Sequence, residues 1–138
     1  EYDFDTTALD GWPAGQMTVP GQEEPVRLFP CEEKIGDMIA AAAQDLYGHA
    51  HRGVVATGDR FVADPRVGDR LEREFGALAC EMEGGAIAHA CLVNQVPCAV
   101  LRTISDNAHD SDTVDFVTFA RSSAEKAQEL LRKVMPQL

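Results

Sequence analysis

Three short apolar runs, each closing on a polar cluster, constrain the fold of this chain more than any other feature. Gly53-Val54-Val55-Ala56 ends in Thr57-Gly58-Asp59, Ala77-Leu78-Ala79-Cys80 ends in Glu81-Met82-Glu83, and Pro97-Cys98-Ala99-Val100-Leu101 ends in Arg102-Thr103-Ile104-Ser105-Asp106. Helical patterns separate them. Val67, Leu71 and Phe75 recur every four residues, 84 to 94 form a nearly all-apolar small-residue segment, and a final helix is expected from about 114 to Met135, with Pro136 at its end. Short apolar strands alternating with helices of about ten or more residues predict parallel pairing through right-handed crossovers, hence a layered α/β domain. A helix apolar on most sides, such as 84 to 94, is expected to be buried.

Upstream, Ile35, Met38, Ile39, Ala42 and Leu46 recur at three and four, Glu32-Glu33 suits a first helical turn, and Gly48 suits a stop. These features predict an amphipathic helix of about 15 residues. Residues 1 to 30 carry Gly11, Pro13, Gly15, Pro20, Gly21, Pro25 and Pro30 without a regular period, and are expected to form an irregular arm with no core of its own. The whole 1 to 138 is therefore expected to be one domain, with the arm at 1–30 and an α/β core at 31–138. Three strands make a small sheet, so more strands upstream or a partner subunit are expected to cover its edges. The start at Glu1, without Met and inside a polar stretch, suggests a piece of something longer.

The 12 basic and 23 acidic residues give a net charge of −11, which repels nucleic-acid backbones and anionic membrane surfaces. Apolar stretches fall far short of the roughly 20 residues a membrane span needs, and no secretory signal opens the chain. The expectation is a cytoplasmic protein with no nucleic-acid or membrane partner. The four cysteines, Cys31, Cys80, Cys91 and Cys98, show no C-x-x-C spacing and read as reduced thiols.

In open parallel sheets ligands bind beyond the carboxyl ends of the strands, where this chain concentrates its polar groups. Asp59 fits equally the cap of a following helix. Glu83 and Asp106 each follow an apolar run, where partial desolvation raises a carboxyl's pKa toward values useful in proton transfer. Glu81 faces either a ligand or a neighbouring strand. Phe61 and Phe116, taken alone, read as core aromatics, and Arg102 as an ion-pair partner of an acidic strand end.

The run Glu81-Met82-Glu83-Gly84-Gly85-Ala86-Ile87-Ala88-His89, with Arg102-Thr103-Ile104-Ser105-Asp106 placing its Asp 23 residues after Glu83, resembles the purine nucleoside phosphorylase superfamily. Within it the chain is most similar to the 5'-methylthioadenosine/S-adenosylhomocysteine nucleosidases. Thr57-Gly58-Asp59-Arg60-Phe61-Val62, Phe116 and the early Asp3-Phe4-Asp5-Thr6-Thr7-Ala8 support the resemblance, which covers the second half of the family chain. It implies the C-terminal part of a three-layer α/β/α fold with a mostly parallel central sheet. It also implies hydrolysis of the N-glycosidic bond of 5'-methylthioadenosine and S-adenosylhomocysteine, a step in methionine salvage, by a homodimer to which the arm contributes.

The roles carried over are these. Asp106 protonates the purine N7 as general acid, and Ser105 orients it. Glu83 accepts hydrogen bonds from the ribose hydroxyls and favours the cationic sugar. Met82 packs on the ribose, Phe61 stacks on adenine, and the Val62 backbone reads the base edge. Phe116, and Leu9 reaching a partner subunit's site, line the 5'-alkylthio pocket, where the family more often has Phe in place of Leu9. Glu81 joins the substrate-binding set. The glutamate that activates water in the family has no counterpart here.

No cofactor is expected, since no glycine-rich dinucleotide fingerprint follows a strand, and no metal, since His49 and His51 lack a third ligand. Ser105, Asp106 and His109 lack the spacing of a hydrolytic triad. Two other functions remain open: a phosphorylase, which needs a phosphate cradle beyond Arg60 and Arg102, and a non-catalytic nucleoside-binding chain.

Overall fold

The computed structural model describes residues 13–105 and 115–138, which divide into two compact units. Gly53–Val100 forms the first, with the described chain up to Cys31; Glu32–Arg52 and Leu101–Leu138 form the second, less the undescribed residues.

The first unit is a β-α-β arrangement with one further helix. Strand β1 (Val54–Thr57) pairs in parallel with β2 (Ala77–Glu81), from Val54 opposite Ala77 to Thr57 opposite Glu81. Helix α2 (Pro65–Phe75; α1, Glu33–Tyr47, lies in the second unit) makes the crossover. Asp64 caps it by accepting the Arg66 amide at 3.0 Å, Pro65 occupies the first turn where no amide is needed, and Gly76 ends it at φ 65°. Asp64, five residues past Asp59, takes the capping role. Leu71 reaches from α2 onto Ala56 and Ala77, with Val62, Val67 and Phe75 around them, and this is the core beneath the sheet. Helix α3 (Gly84–Val93) follows β2.

The second unit joins helix α1 (Glu33–Tyr47) to α4 (Phe116–Val134), which runs into a 3-10 turn at Met135–Gln137. Gly48 ends α1 in the left-handed region at φ 75°, its amide bonding the Gln44 carbonyl at 2.9 Å. Ala42 and Ala43 pack on Leu130 and Val134, flanked by Met38, Ile39 and Leu46. The apolar period expected for α1 is thus the face it buries. At the rim, Lys133 pairs with Asp45 and the Tyr47 hydroxyl donates to the Lys126 carbonyl at 2.6 Å.

Two expectations need correction. The run 97 to 101 is not a strand: among the described residues the sheet has two strands, and nothing pairs with this segment. An apolar run becomes a strand only when a neighbour supplies the ladder hydrogen bonds. Helix α3 is buried on one side alone. Gly84, Gly85 and Ala88 are covered, whereas Ile87 is 56% and Val93 43% exposed, because the two-stranded sheet offers packing to a single face. The described part of the arm belongs to neither core cluster and packs onto the rest of its unit. Met17 bridges Val26 antiparallel, Val19 is buried, and Arg27 lies 4.3 Å over the Phe75 ring while donating to the Glu74 carbonyl at 2.7 Å.

Candidate active site

Parallel pairing of β1 with β2 brings Thr57 opposite Glu81, so the segments leaving both strands start side by side; the Gly58 amide donates to the Glu81 carbonyl at 3.1 Å. Residues 58–62 and 82–83 therefore share the carboxyl end of the sheet.

Phe61 is 74% exposed there, which removes the core-aromatic alternative, while the neighbouring Val62 packs against the Ala56 and Leu71 cluster. Val62 thus anchors a loop whose aromatic ring faces outward. Met82 is 45% exposed and Glu83 is exposed. Glu83 is the N-cap residue of α3, yet its side chain makes no capping hydrogen bond to that helix.

The cap comes from Glu81 instead. Its Oε2 accepts the Glu83 amide at 3.0 Å and the Gly84 amide at 2.7 Å, and its Oε1 accepts the Thr57 hydroxyl. Thr57 Oγ1 in turn accepts the Gly85 amide at 2.7 Å. Three consecutive amides at the start of α3, all without intrahelical partners, are satisfied by two side chains from the ends of two strands. Glu81 thus faces the neighbouring strand, one of the two placements its position allowed. The glycine pair is what permits such closeness. A Cβ on Gly85 would lie 2.8 Å from the Cβ and Oγ1 of Thr57, and one on Gly84 would lie 3.0 Å from Glu81 Oε1.

Elsewhere, Ser105 is half-buried in the second unit, Arg102 is exposed, and Phe116 is the first residue of α4. Leu9 and Asp106 lie outside the described residues, as does the Phe116 side chain. His49 Nδ1 lies 2.9 Å from the Tyr47 carbonyl oxygen.

The family model described as the phosphorylase superfamily matches residues 2–136. The chain belongs to the phosphorylase superfamily. Among curated members, the Campylobacter jejuni aminodeoxyfutalosine nucleosidase is 35% identical over 138 residues, covering 100% of this chain and 58% of that protein. A 5'-methylthioadenosine/S-adenosylhomocysteine nucleosidase from a Shewanella species is 36% identical over 119 residues, 86% of this chain and 49% of that one. The crystal structure of a Campylobacter jejuni 5'-methylthioadenosine/S-adenosylhomocysteine nucleosidase superposes with a TM-score of 0.83 at 35% identity, over 100% of this chain and 58% of its own. The α/β fold is therefore that of these superfamily nucleosidases. The chain spans about half the length of the curated relatives it matches.

The residue to which sequence reasoning gave no role of its own is Thr57. It is the buried polar side chain of the described structure, 3% exposed. Its signal was the Gly84-Gly85 doublet: two glycines opening a helix mark a close approach by another group.

Proposed function

We propose that this chain carries the purine and ribose side of a nucleosidase site that hydrolyses the N-glycosidic bond of 5'-methylthioadenosine and S-adenosylhomocysteine. Adenine and a 5'-thioribose are the products. The observation that carries the proposal is the exposed set Phe61, Met82 and Glu83 at the carboxyl end of a parallel pair, in a superfamily chain whose relatives are named for these substrates.

In this reading Phe61 stacks on the base, the Val62 backbone reads its edge and Met82 lies against the sugar. Glu83 accepts from the ribose hydroxyls, and its charge favours the cationic sugar of the transition state. As the bond breaks, its electron pair leaves with the purine and Asp106, oriented by Ser105, delivers a proton to N7. Water bonds the anomeric carbon and gives up its proton to a group outside this sequence. Phe116, and Leu9 from a second copy, line the 5'-alkylthio pocket of a cytoplasmic homodimer serving methionine salvage.

A second substrate reading is aminodeoxyfutalosine, favoured by the match of all 138 residues to a relative named for it. Both readings share the bond broken. Adenine release is measured from 5'-methylthioadenosine, S-adenosylhomocysteine and aminodeoxyfutalosine, with and without phosphate. Phosphate-independent release supports hydrolysis and ranks the substrates. Release that requires phosphate makes the protein a phosphorylase, and binding without release makes it a nucleoside-binding chain.

A further inference from the structure

We infer that Thr57 is a positioning residue for the proposed reaction: its buried hydroxyl fixes the 81–85 turn and so sets where the Glu83 carboxylate meets the ribose. The inference rests on the function proposed above and adds to it a residue that touches no substrate.

The connection runs through hydrogen bonds alone. The Gly85 amide donates to Thr57 Oγ1 at 2.7 Å, and the Thr57 hydroxyl spends its single proton on Glu81 Oε1. The other oxygen of that carboxylate holds the amides of Glu83 at 3.0 Å and Gly84 at 2.7 Å. The backbone of Glu83 is therefore tied on both sides, by its own amide and by the next, at φ −132° and ψ −32°.

Three features distinguish this from an ordinary helix cap. Thr57 is 3% exposed, so its hydroxyl has no water to substitute for either bond. The contact is tight, since a Cβ at Gly85 would come within 2.8 Å of Thr57. The ligature also joins the two strand ends to each other, Thr57 standing opposite Glu81 in the ladder, so one hydroxyl locks the β1 end, the β2 end and the start of α3 together. Removing it takes one hydrogen bond from the Gly85 amide and one from Glu81 at once. A shift of a few tenths of an ångström in the turn is then passed directly to Glu83, and small misplacements of a catalytic group are costly.

The test compares Thr57→Val, which keeps the shape and removes the hydroxyl, with Thr57→Ser, which keeps the hydroxyl. Each is assayed for kcat and KM of adenine release from 5'-methylthioadenosine and for affinity toward adenine alone, which has no ribose. Thr57→Val is expected to lower kcat/KM about 30-fold, with adenine affinity retained and Thr57→Ser restoring most of the loss. Glu83→Gln is expected to do less harm in the Thr57→Val background than in the wild type, because both substitutions disable one unit. Equal losses of adenine affinity and turnover, strict additivity with Glu83→Gln, or wild-type kinetics in Thr57→Val would each overturn the inference while leaving the nucleosidase function standing. A wild-type protein that neither binds nor cleaves any purine nucleoside overturns both.

Discussion

The carboxylate of Glu81 lies 2.7 Å from the amide nitrogen of Gly84, so the last residue of one strand closes the first turn of the helix that follows it. Charge-assisted hydrogen bonds of this kind are the stronger ones, and the positive end of the helix adds to them. Glu81→Ala is expected to lower stability by about 2 kcal/mol, and Glu81→Gln by less, since the amide oxygen still accepts. Urea midpoints of the two variants check this; equal losses would show that the charge and not the acceptor matters.

Phe61 presents the opposite combination, large and apolar yet 74% exposed. Phe61→Ala is expected to leave unfolding free energy within about 0.5 kcal/mol of the wild type. Stacking on a base is worth enough that the same change should raise the KM for the nucleoside about tenfold. A thermal melt beside a kinetic assay separates the two effects, and a large loss of stability would return Phe61 to the core.

Leu71 and Leu130 anchor different units, at 4% and 2% exposure. Truncating either to Ala is expected to cost about 3 kcal/mol. Amide exchange should rise first around β1, β2 and α2 in Leu71→Ala, and around α1 and α4 in Leu130→Ala. Identical exchange patterns would mean that the units open together.

Two caps make stability depend on acid. Arg66, by its side-chain hydrogen bonds and then its amide, holds the Asp64 carboxyl below its usual value; the Thr118 hydroxyl does the same for Asp115. Because each folded-state pKa is depressed, the stabilisation is present above the ordinary carboxylate pKa. It is lost as pH falls below that value through the folded one. Asp64→Asn keeps a capping oxygen without the charge, so its melting temperature should fall less than the wild type's between about pH 4 and about pH 2. Parallel acid profiles would refute this.

Burial, aided by the hydrogen bond with Cys91, pushes the Cys98 thiol up to about 11. Thiolate is the reactive form, so at about pH 8 Cys98 should alkylate roughly a hundredfold or more slowly than a free thiol. Mass mapping after iodoacetamide is expected to find the exposed Cys31 and Cys80 labelled before it. Early labelling of Cys98 would mean that its surroundings open readily.

The local elements were written in the residues themselves. The three-and-four spacing of Ile35 to Leu46 with Gly48 behind it produced α1, and the four-residue spacing of Val67, Leu71 and Phe75 produced the buried side of α2. Such signals are local because a helix closes its own hydrogen bonds. Strand ends rich in polar groups, and the motifs around Phe61 and Glu83, likewise pointed to a candidate site.

Pairing and packing required the tertiary structure, because each depends on what stands opposite a residue. The run 97 to 101 is as apolar as β1 and β2 but has no ladder partner among the described residues, and the all-apolar α3 finds cover on one face only. Nor could the sequence say which acid caps which helix. Asp64 displaced Asp59 at α2, and Glu81 reached back over α3 because Thr57, 24 residues earlier, stands opposite it across the sheet. Chain order determined the helices and the chemical character of the strand ends; the parallel register of β1 on β2, a contact between residues distant in the chain, decided that Thr57 and Glu81 hold the turn from which Glu83 projects.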